Sequence, residues 1–375
     1  MVGASLTAQE RDRLERALEL ADRGRGAVSP NPLVGAVIAR GEEVIGEGWH
    51  AELGGLHAER AALEDCHARG EEPRGATMYV TLEPCAHHGR QPPCVETIVE
   101  AGIARVVIAS DDPSEKASGR GPGMLRDAGV EVSFAAGEEA AAARLLNQPF
   151  RKHARTGRPL VILKMALSLD GRAATAGGDS RWISGERSRE LVHSWRAEAD
   201  AIAVGIGTAL RDDPLLTARV ATAHRQPARL VFDSAARLPL DSQLVRTASQ
   251  APLLLVVSPK AERERLAALE RAGAEVLVAG GADHPERVRA ALADLGRRGI
   301  TSLFLEGGPT LAAAFAAAGE VDEARLFYAP ILIGGGRAAL EGEGGALIAE
   351  APRALAAAVE QVGEDVLITA RMREW

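Results

Sequence analysis

Apolar positions along the chain alternate between two periods, and each change of period marks an element. From Ala8 to Arg23, Leu14, Ala17, Leu18 and Ala21 recur at helical spacing, which predicts an amphipathic helix that Gly24 and Gly26 terminate. Two prolines two apart make Ser29-Pro30-Asn31-Pro32 a loop. Val34 to Ala39 and Glu43 to Gly48 read as strands joined by a turn through Arg40-Gly41-Glu42. A helix over His57 to Ala68, a strand over Ala76 to Leu82 and a helix from Pro93 to Ala101 follow. Then come strands at Val106 to Ser110 and Val130 to Phe134, with a loop at Asp111-Asp112-Pro113 and a helix near Gly123 to Ala128 between them. Such alternation predicts an α/β layer sandwich.

Glu138 to His153 is charged, Ala-rich and reads as one helix, broken by Arg155 to Pro159. A domain boundary is expected near residue 150, giving domains 1–150 and 151–375. A second strand series then runs through Val161 to Ala166, Ala201 to Gly205, Arg229 to Asp233, Leu253 to Val257, Glu275 to Val278 and Ser302 to Leu305. Helical stretches at Glu186 to Ala197, Glu262 to Ala272, Glu286 to Arg297 and Thr310 to Ala318 separate several of these strands. The end differs: Glu323 to Ile333, Ala356 to Gln361 and Asp365 to Arg371 read as strands with no helix between them. An α/β sheet finished by antiparallel strands is predicted.

Composition narrows the function classes. Two or three domains fit 375 residues, and 46% apolar residues suffice for full cores. Aromatics at 3% leave Ala, Val, Leu and Ile to build them. A net charge of −8 and a pI near 5.7 argue against a polyanion as main partner, so no nucleic-acid substrate is expected. Three cysteines, Cys66, Cys85 and Cys94, make no disulfide framework and suggest a reducing compartment, the cytoplasm. Met1 to Glu19 has no apolar signal core, and no run of eighteen apolar residues suggests a membrane span.

Two of those cysteines belong to the densest chemical stretch. His57-Ala58-Glu59 is followed by Thr81-Leu82-Glu83-Pro84-Cys85-Ala86-His87-His88-Gly89-Arg90-Gln91-Pro92-Pro93-Cys94. One imidazole and two thiols make three soft zinc ligands, which leaves a fourth position for water. Zinc brings the pKa of that water near neutrality, and Glu59 is the proton carrier beside it. His-x-Glu with Pro-Cys and a second Cys is the signature of zinc-dependent base deaminases. Eight residues between Cys85 and Cys94, rather than two, depart from the usual spacing. One alternative is a closed structural zinc site, with His87 or His88 as fourth ligand. Another is a pair of buried thiols, which explains neither the prolines nor the histidines between them. Cys66 sits at the far end of the His57 helix and reads as core or surface. Asn31 and His50 lie in turns that flank the strands, either as plain loop residues or as contacts to a base edge.

Signals in the second half are weaker. Leu305-Glu306-Gly307-Gly308-Pro309-Thr310 joins a strand to a helix whose N-terminus offers backbone N–H groups to an anion such as a dinucleotide pyrophosphate. Gly205-Ile206-Gly207-Thr208 ends another strand similarly, but Leu210 stands where a third Gly would complete a Rossmann fingerprint. Ordinary tight turns remain the alternative. Lys164, Ser168, Asp170, Arg172, Ser180, Trp182, Arg196, Asp212 and Arg219 gather in loops and element ends, and the arginines suit a phosphate.

From Ser29-Pro30-Asn31-Pro32-Leu33-Val34-Gly35 through His57-Ala58-Glu59 to Cys94, the first half resembles the deaminase half of the bifunctional riboflavin-biosynthesis deaminase/reductase family. The long His-His-Gly-Arg gap before Pro-Pro-Cys separates that family from cytidine and tRNA adenosine deaminases. Lys164 to Arg172, Ser180-Arg181-Trp182-Ile183-Ser184, Gly205 to Thr208, Asp212-Asp213-Pro214-Leu215-Leu216-Thr217 and Glu306 to Thr310 look like its reductase half, which is similar to dihydrofolate reductase in fold. The fold implied is a cytidine-deaminase-like α/β/α sandwich followed by a dihydrofolate-reductase-like α/β domain. The resemblance implies zinc on His57, Cys85 and Cys94, with Glu59 as catalytic proton carrier. It implies NADPH contacts at Ala166, Trp182, Thr208, Asp212, Ser234, Gly308, Pro309, Thr310, Leu311, Ala312, Ala313 and Ala314. It implies substrate contacts at Ser180, Arg196, Leu216, Arg219 and Glu306, to which Lys164, Asn31 and His50 are added. Arg60 and Leu56 depart from the apolar residue and Pro expected there, and Ala166 stands where Gly is frequent. The implied reactions are deamination of a diaminopyrimidinone ribosyl phosphate to a uracil, then NADPH reduction of the ribosyl to a ribityl chain. A homo-oligomer acting on small molecules is expected. The rivals are a deaminase of another base fused to an unrelated domain, and a zinc module that only binds nucleotides.

Overall fold

The structure is a computed structural model that describes residues 6–88, 91–115, 117, 119–221 and 223–375. It divides into two compact units, one running to Thr156 and including Trp375, the other spanning Gly157–Glu374.

In the first unit, strands β1 (Gly35–Arg40), β2 (Glu43–Trp49), β3 (Thr77–Val80), β4 (Arg105–Ile108) and β5 (Glu131–Phe134) form one sheet in the order β2-β1-β3-β4-β5. β1 runs antiparallel to β2 and β3, whereas β3, β4 and β5 are parallel. Helices α1 (Ala8–Asp22), α2 (Ala58–Ala68), α3 (Cys94–Glu100), α4 (Arg120–Asp127), α5 (Glu138–Leu146) and α6 (Gln148–Thr156) accompany it. Apolar side chains alternate along the strands into two separate clusters. Ala36, Ile38, Met78, Val80, Val106 and Ile108 meet α2, α3 and α4, while Val37, Tyr79 and Val107 meet α1 and α5.

Thr7 starts α1 with a capping box: its hydroxyl accepts from the Glu10 N–H, and the Glu10 carboxylate accepts from the Thr7 N–H. β2 carries Gly46 and Gly48 against α2. A Cβ on Gly48 would lie 2.6 Å from the Ala61 carbonyl carbon and 2.7 Å from the Ala58 oxygen, so only glycine admits the helix this close.

The single helix expected from Glu138 to His153 is two, and residue 150 lies inside the second. The break is at Asn147, which is buried and leaves the helical conformation. Its carboxamide oxygen accepts from the Leu33 N–H and its Nδ2 donates to the Leu33 carbonyl, both at 2.8 Å. Periodicity could not register this, because the partner is 114 positions away.

The second unit holds a nine-stranded sheet in the order β11-β10-β9-β8-β12-β6-β13-β16-β15. In chain order its elements are β6 (Leu160–Ser168), β7 (Arg172–Ala174), α7 (Glu186–Glu198), β8 (Ala201–Gly205), α8 (Ile206–Asp212), β9 (Ala228–Phe232), α9 (Gln243–Arg246), β10 (Leu253–Val257), α10 (Arg263–Arg271), β11 (Glu275–Val278), α11 (His284–Arg297), β12 (Ser302–Leu305), α12 (Pro309–Ala317), β13 (Glu323–Ala329), β14 (Arg337–Ala338), β15 (Ala356–Val362) and β16 (Asp365–Arg371). Strands β6 and β8 to β13 are parallel to their neighbours, and β13-β16-β15 is antiparallel. The central strands are apolar on both faces, as a covered parallel sheet demands: β10 is buried throughout and β12 likewise. Gly205 begins α8 rather than a bare turn, and the strand expected to reach Ile333 stops at Ala329. β15 is an edge strand exposed from Ala356 to Gln361, with Val359 68% exposed.

Candidate active sites

β3 ends at Val80, and the chain then turns so that Cys85 faces the start of α3, where Cys94 is the first helical residue. His57 is the N-cap of α2, one residue ahead of the helix that carries Glu59 in its first turn. His57 Nδ1 lies 3.3 Å from Cys94 Sγ and 3.6 Å from Cys85 Sγ. All three donor atoms fall within 4.8 Å of one another. A tetrahedral zinc with about 2.3 Å bonds to sulfur and about 2.05 Å to nitrogen needs N···S separations of roughly 3.6 Å, so the donors fit that ion. The Cys94 N–H donates to Cys85 Sγ at 3.3 Å. The Cys94 thiol, His57 and this N–H together hold the Cys85 thiol down to about 4, in favour of thiolate.

Glu59 is 4% exposed. Burial pushes its carboxyl up to about 7, and the negative Cys85 sulfur adds to the shift. His88 is exposed and faces Glu96 at 3.8 Å, and neither His88 nor His87 joins the donor cluster. Among the described residues the cluster therefore has three protein ligands and no fourth, which separates it from a closed structural site. Gly89 and Arg90 lie outside the described residues. Cys66 is in the core, away from the cluster.

Asn31 and His50 meet beside this centre. Asn31 Nδ2 lies 3.1 Å from His50 Nε2, and His50 Nδ1 lies 2.9 Å from the Leu56 carbonyl. Burial lowers the His50 pKa, so the ring is neutral, donating from Nδ1 and accepting at Nε2. Its ring centroid is 5.7 Å from that of His57. Leu56 takes part through its carbonyl, which any residue supplies. Gln91 was not singled out from the sequence. Its Oε1 accepts from the His57 N–H at 3.4 Å and its Nε2 donates to the Gly55 carbonyl, so it ties the His57 turn to the cysteine loop.

In the second unit a cavity of about 1380 Å³ opens at the carboxyl ends of the parallel strands. Lys164, Ala166, Ser180, Trp182, Arg196, Thr208, Asp212, Leu216, Arg219, Ser234 and Glu306 line it, as do Gly308, Pro309, Thr310, Leu311 and Ala314. Ala312 and Ala313 do not. Helical periodicity turns Ala312 into the apolar core, and the Ala313 side chain faces Gly342. Gly308 caps α12, and a Cβ there would come within 3.4 Å of Thr208 Oγ1. The N-terminus of α12 thus presents free backbone N–H groups beside a hydroxyl, which suits a pyrophosphate.

Arg196 and Glu306 form a bidentate pair in this cavity, at 2.6 and 2.8 Å. Burial lowers the Lys164 pKa, while Glu306 raises it and Arg196 lowers it further. Leu216 is buried with φ 52°, a left-handed conformation costing about 1–3 kcal/mol. Trp182 is 70% exposed, with the Arg189 guanidinium 4.8 Å from its ring centroid.

Fold and sites together define a two-domain enzyme, a zinc-type base deaminase followed by a dinucleotide-dependent reductase. Residues 7–110 match the cytidine and deoxycytidylate deaminase zinc-binding region, and residues 159–368 match the RibD C-terminal domain. The chain belongs to the family of the riboflavin biosynthesis protein RibD. It is 40% identical to that protein from Actinobacillus pleuropneumoniae over 364 residues, covering 96% of this chain and 95% of the relative. With the Escherichia coli strain K12 protein the identity is 38% over 373 residues, covering 95% and 97%. The solved structure of Acinetobacter baumannii RibD, form 1, superposes with a TM-score of 0.86 at 35% identity, over 98% of this chain and 99% of that one. A diaminohydroxyphosphoribosylaminopyrimidine deaminase/5-amino-6-(5-phosphoribosylamino)uracil reductase from Thermotoga maritima gives 0.84 at 33%, over 97% and 99%. Coverage of both halves leaves no room for an unrelated second domain. No helix among the described residues is long and apolar enough to cross a membrane.

Proposed function

We infer that this chain carries out both RibD reactions: deamination of the diaminopyrimidinone ribosyl phosphate to the aminouracil, then NADPH-dependent reduction of the ribosyl to the ribityl chain. The observation that carries the first is the three-donor cluster with buried Glu59 beside it and no fourth protein ligand among the described residues. Zinc, held by His57, Cys85 and Cys94, supplies a water acidic enough to serve as nucleophile at neutral pH. Glu59 would carry one proton of that water to the ring nitrogen and a second proton from the same oxygen to the amine, which leaves as ammonia. Asn31 and His50 hold the edge of the base, His50 fixed as the neutral tautomer by the Leu56 carbonyl.

In the second unit NADPH, when bound in the cavity, would supply the hydride for C1′ of the opened ribose. The α12 N-terminus with Gly308 and Thr208 receives the cofactor pyrophosphate. Ser234 and Arg237, both on the cavity wall, suit the 2′-phosphate. Glu306, Lys164 and Arg196 face the reacting end, and Ser180, Leu216 and Arg219 complete the substrate wall.

The two deaminase thiolates need a reducing compartment, and we place the enzyme in the cytoplasm. We also propose a homo-oligomer in which two copies pair along β15, whose backbone edge is uncovered and whose residues Ala356 to Gln361 are exposed.

The test is a coupled assay on purified protein. Ammonia should be released from the diaminopyrimidinone ribosyl phosphate, and added NADPH should then lose its absorbance. Release without NADPH consumption would remove the reductase half of the reading, and the reverse would remove the deaminase half.

A further inference from the structure

α7 turns His193 and Arg196 into the reductase cavity, three residues apart and so on one face of the helix. Arg196 is already committed: two of its nitrogens bind Glu306 and a third reaches the Thr217 carbonyl at 3.3 Å. Its charge is offset before any substrate arrives. Arg219 is the contrasting case. Among the described residues no carboxylate pairs with it, and its recorded hydrogen bond runs from Nη2 to His193 Nε2 at 2.8 Å. A guanidinium has five N–H donors in a rigid fork, so most of that fork stays open to the cavity.

His193 Nε2 accepts only when the ring is neutral, with its proton on Nδ1. Nδ1 is buried without a hydrogen-bond partner. Burial disfavours the charged ring, and Arg196 on the same helix and Arg219 after α8 disfavour it further; Glu306 at the end of β12 opposes them. A neutral acceptor has a consequence that a carboxylate lacks. It fixes the guanidinium in space and leaves the whole positive charge available to an incoming anion.

We propose that His193 is a positioning residue of the reductase reaction, a neutral acceptor that holds Arg219 in the pose that receives the substrate's phosphate monoester. This rests on the reading of Arg219 as a substrate contact. Specificity for a phosphorylated ribosyl substrate then comes from a pair, one residue carrying charge and the other aiming it.

Steady-state kinetics of the full chain with the aminouracil ribosyl phosphate tests this. His193→Ala should raise the substrate KM about tenfold, the scale of one lost hydrogen bond to a charged group. Its kcat should stay within about twofold and its KM for NADPH should not move. His193→Gln, which restores an acceptor, should recover the KM. His193→Glu should bind ribose 5-phosphate more weakly than His193→Gln does in calorimetry, because its carboxylate cancels the Arg219 charge. Equal binding by the Glu and Gln variants overturns the proposal, and this comparison stands even where the Ala variant does not fold. Arg219→Ala separates the two levels. An unchanged KM there removes the reading of Arg219 itself; a raised KM there with an unchanged KM in His193→Ala removes only the role of His193.

Discussion

Arg196 and Glu306 meet through two parallel hydrogen bonds although 110 positions separate them, and both side chains are largely buried. Burial pushes the Glu306 carboxyl up, but Arg196 and then Lys164 override it and hold it below its ordinary 4.5. A depressed carboxylate stabilises the fold above its unfolded value and loses that contribution as pH falls through the folded one. Removing one partner strands a buried charge. Glu306→Ala should therefore destabilise the second unit by about 3–5 kcal/mol, whereas Arg196→Met with Glu306→Leu should cost much less. Hydrogen exchange in β6 and β12 above pH 4.5, where the carboxylate contributes in full, measures both. Equal protection in the single and double variants would contradict the pairing.

Glu59→Gln keeps the shape and burial of the carboxyl but cannot carry a proton. Ammonia release should fall by about two to four orders of magnitude while zinc stoichiometry and NADPH oxidation on the aminouracil substrate are retained. Parent-rate release with zinc still bound would end the role assigned to this residue.

Gln91 touches no donor atom of the cluster, yet it joins the turn that carries His57 to the loop that carries both sulfurs. Outer contacts of this kind typically change metal affinity by about 10–100-fold. Gln91→Ala should weaken zinc retention by that much in chelator competition, without altering the reductase KM values.

Asn147 satisfies both backbone groups of Leu33, two residues from Asn31. Asn147→Ala leaves a buried N–H and a buried carbonyl unpaired, at about 1–3 kcal/mol each. The Leu33 amide should exchange faster by the corresponding factor, and the deaminase KM should rise as the Asn31 loop loosens. Unchanged exchange at Leu33 would refute the account.

If β15 pairs between copies, a charge on its apolar row should separate them. Val359→Lys should elute and scatter light as a single chain under conditions where the parent has twice that mass. A parent of single-chain mass would dismiss the pairing outright.

The sequence made some features legible because their chemistry is local. His57, Glu59, Cys85 and Cys94 sit in short motifs, and the strand series followed from period and run length. The α/β class and the zinc and NADPH cofactors were readable on that basis, with the family resemblance. What escaped depends on distant partners. The helix break at Asn147 answers to Leu33, the charge of Arg196 is taken by Glu306, and His193 gains its meaning only beside Arg219. The side chains of Ala312 and Ala313 stand off the cavity wall because a helix turns successive positions to different sides, which a contiguous run does not register. The N-terminal turn of α8 read as glycine-rich loop because Gly205 and Gly207 weigh against helix locally.

Gly48 carries no chemistry of its own, yet it fixes how near α2 rests to β2. One methyl group added on that strand would lift the first turn of the helix, and with it both the N-cap His57 and the Glu59 carboxyl. A chain altered there would hold zinc less firmly and let its first substrate pass unchanged, while still oxidising NADPH on the second. The deaminase step is thus guarded by a hydrogen atom wedged between strand and helix.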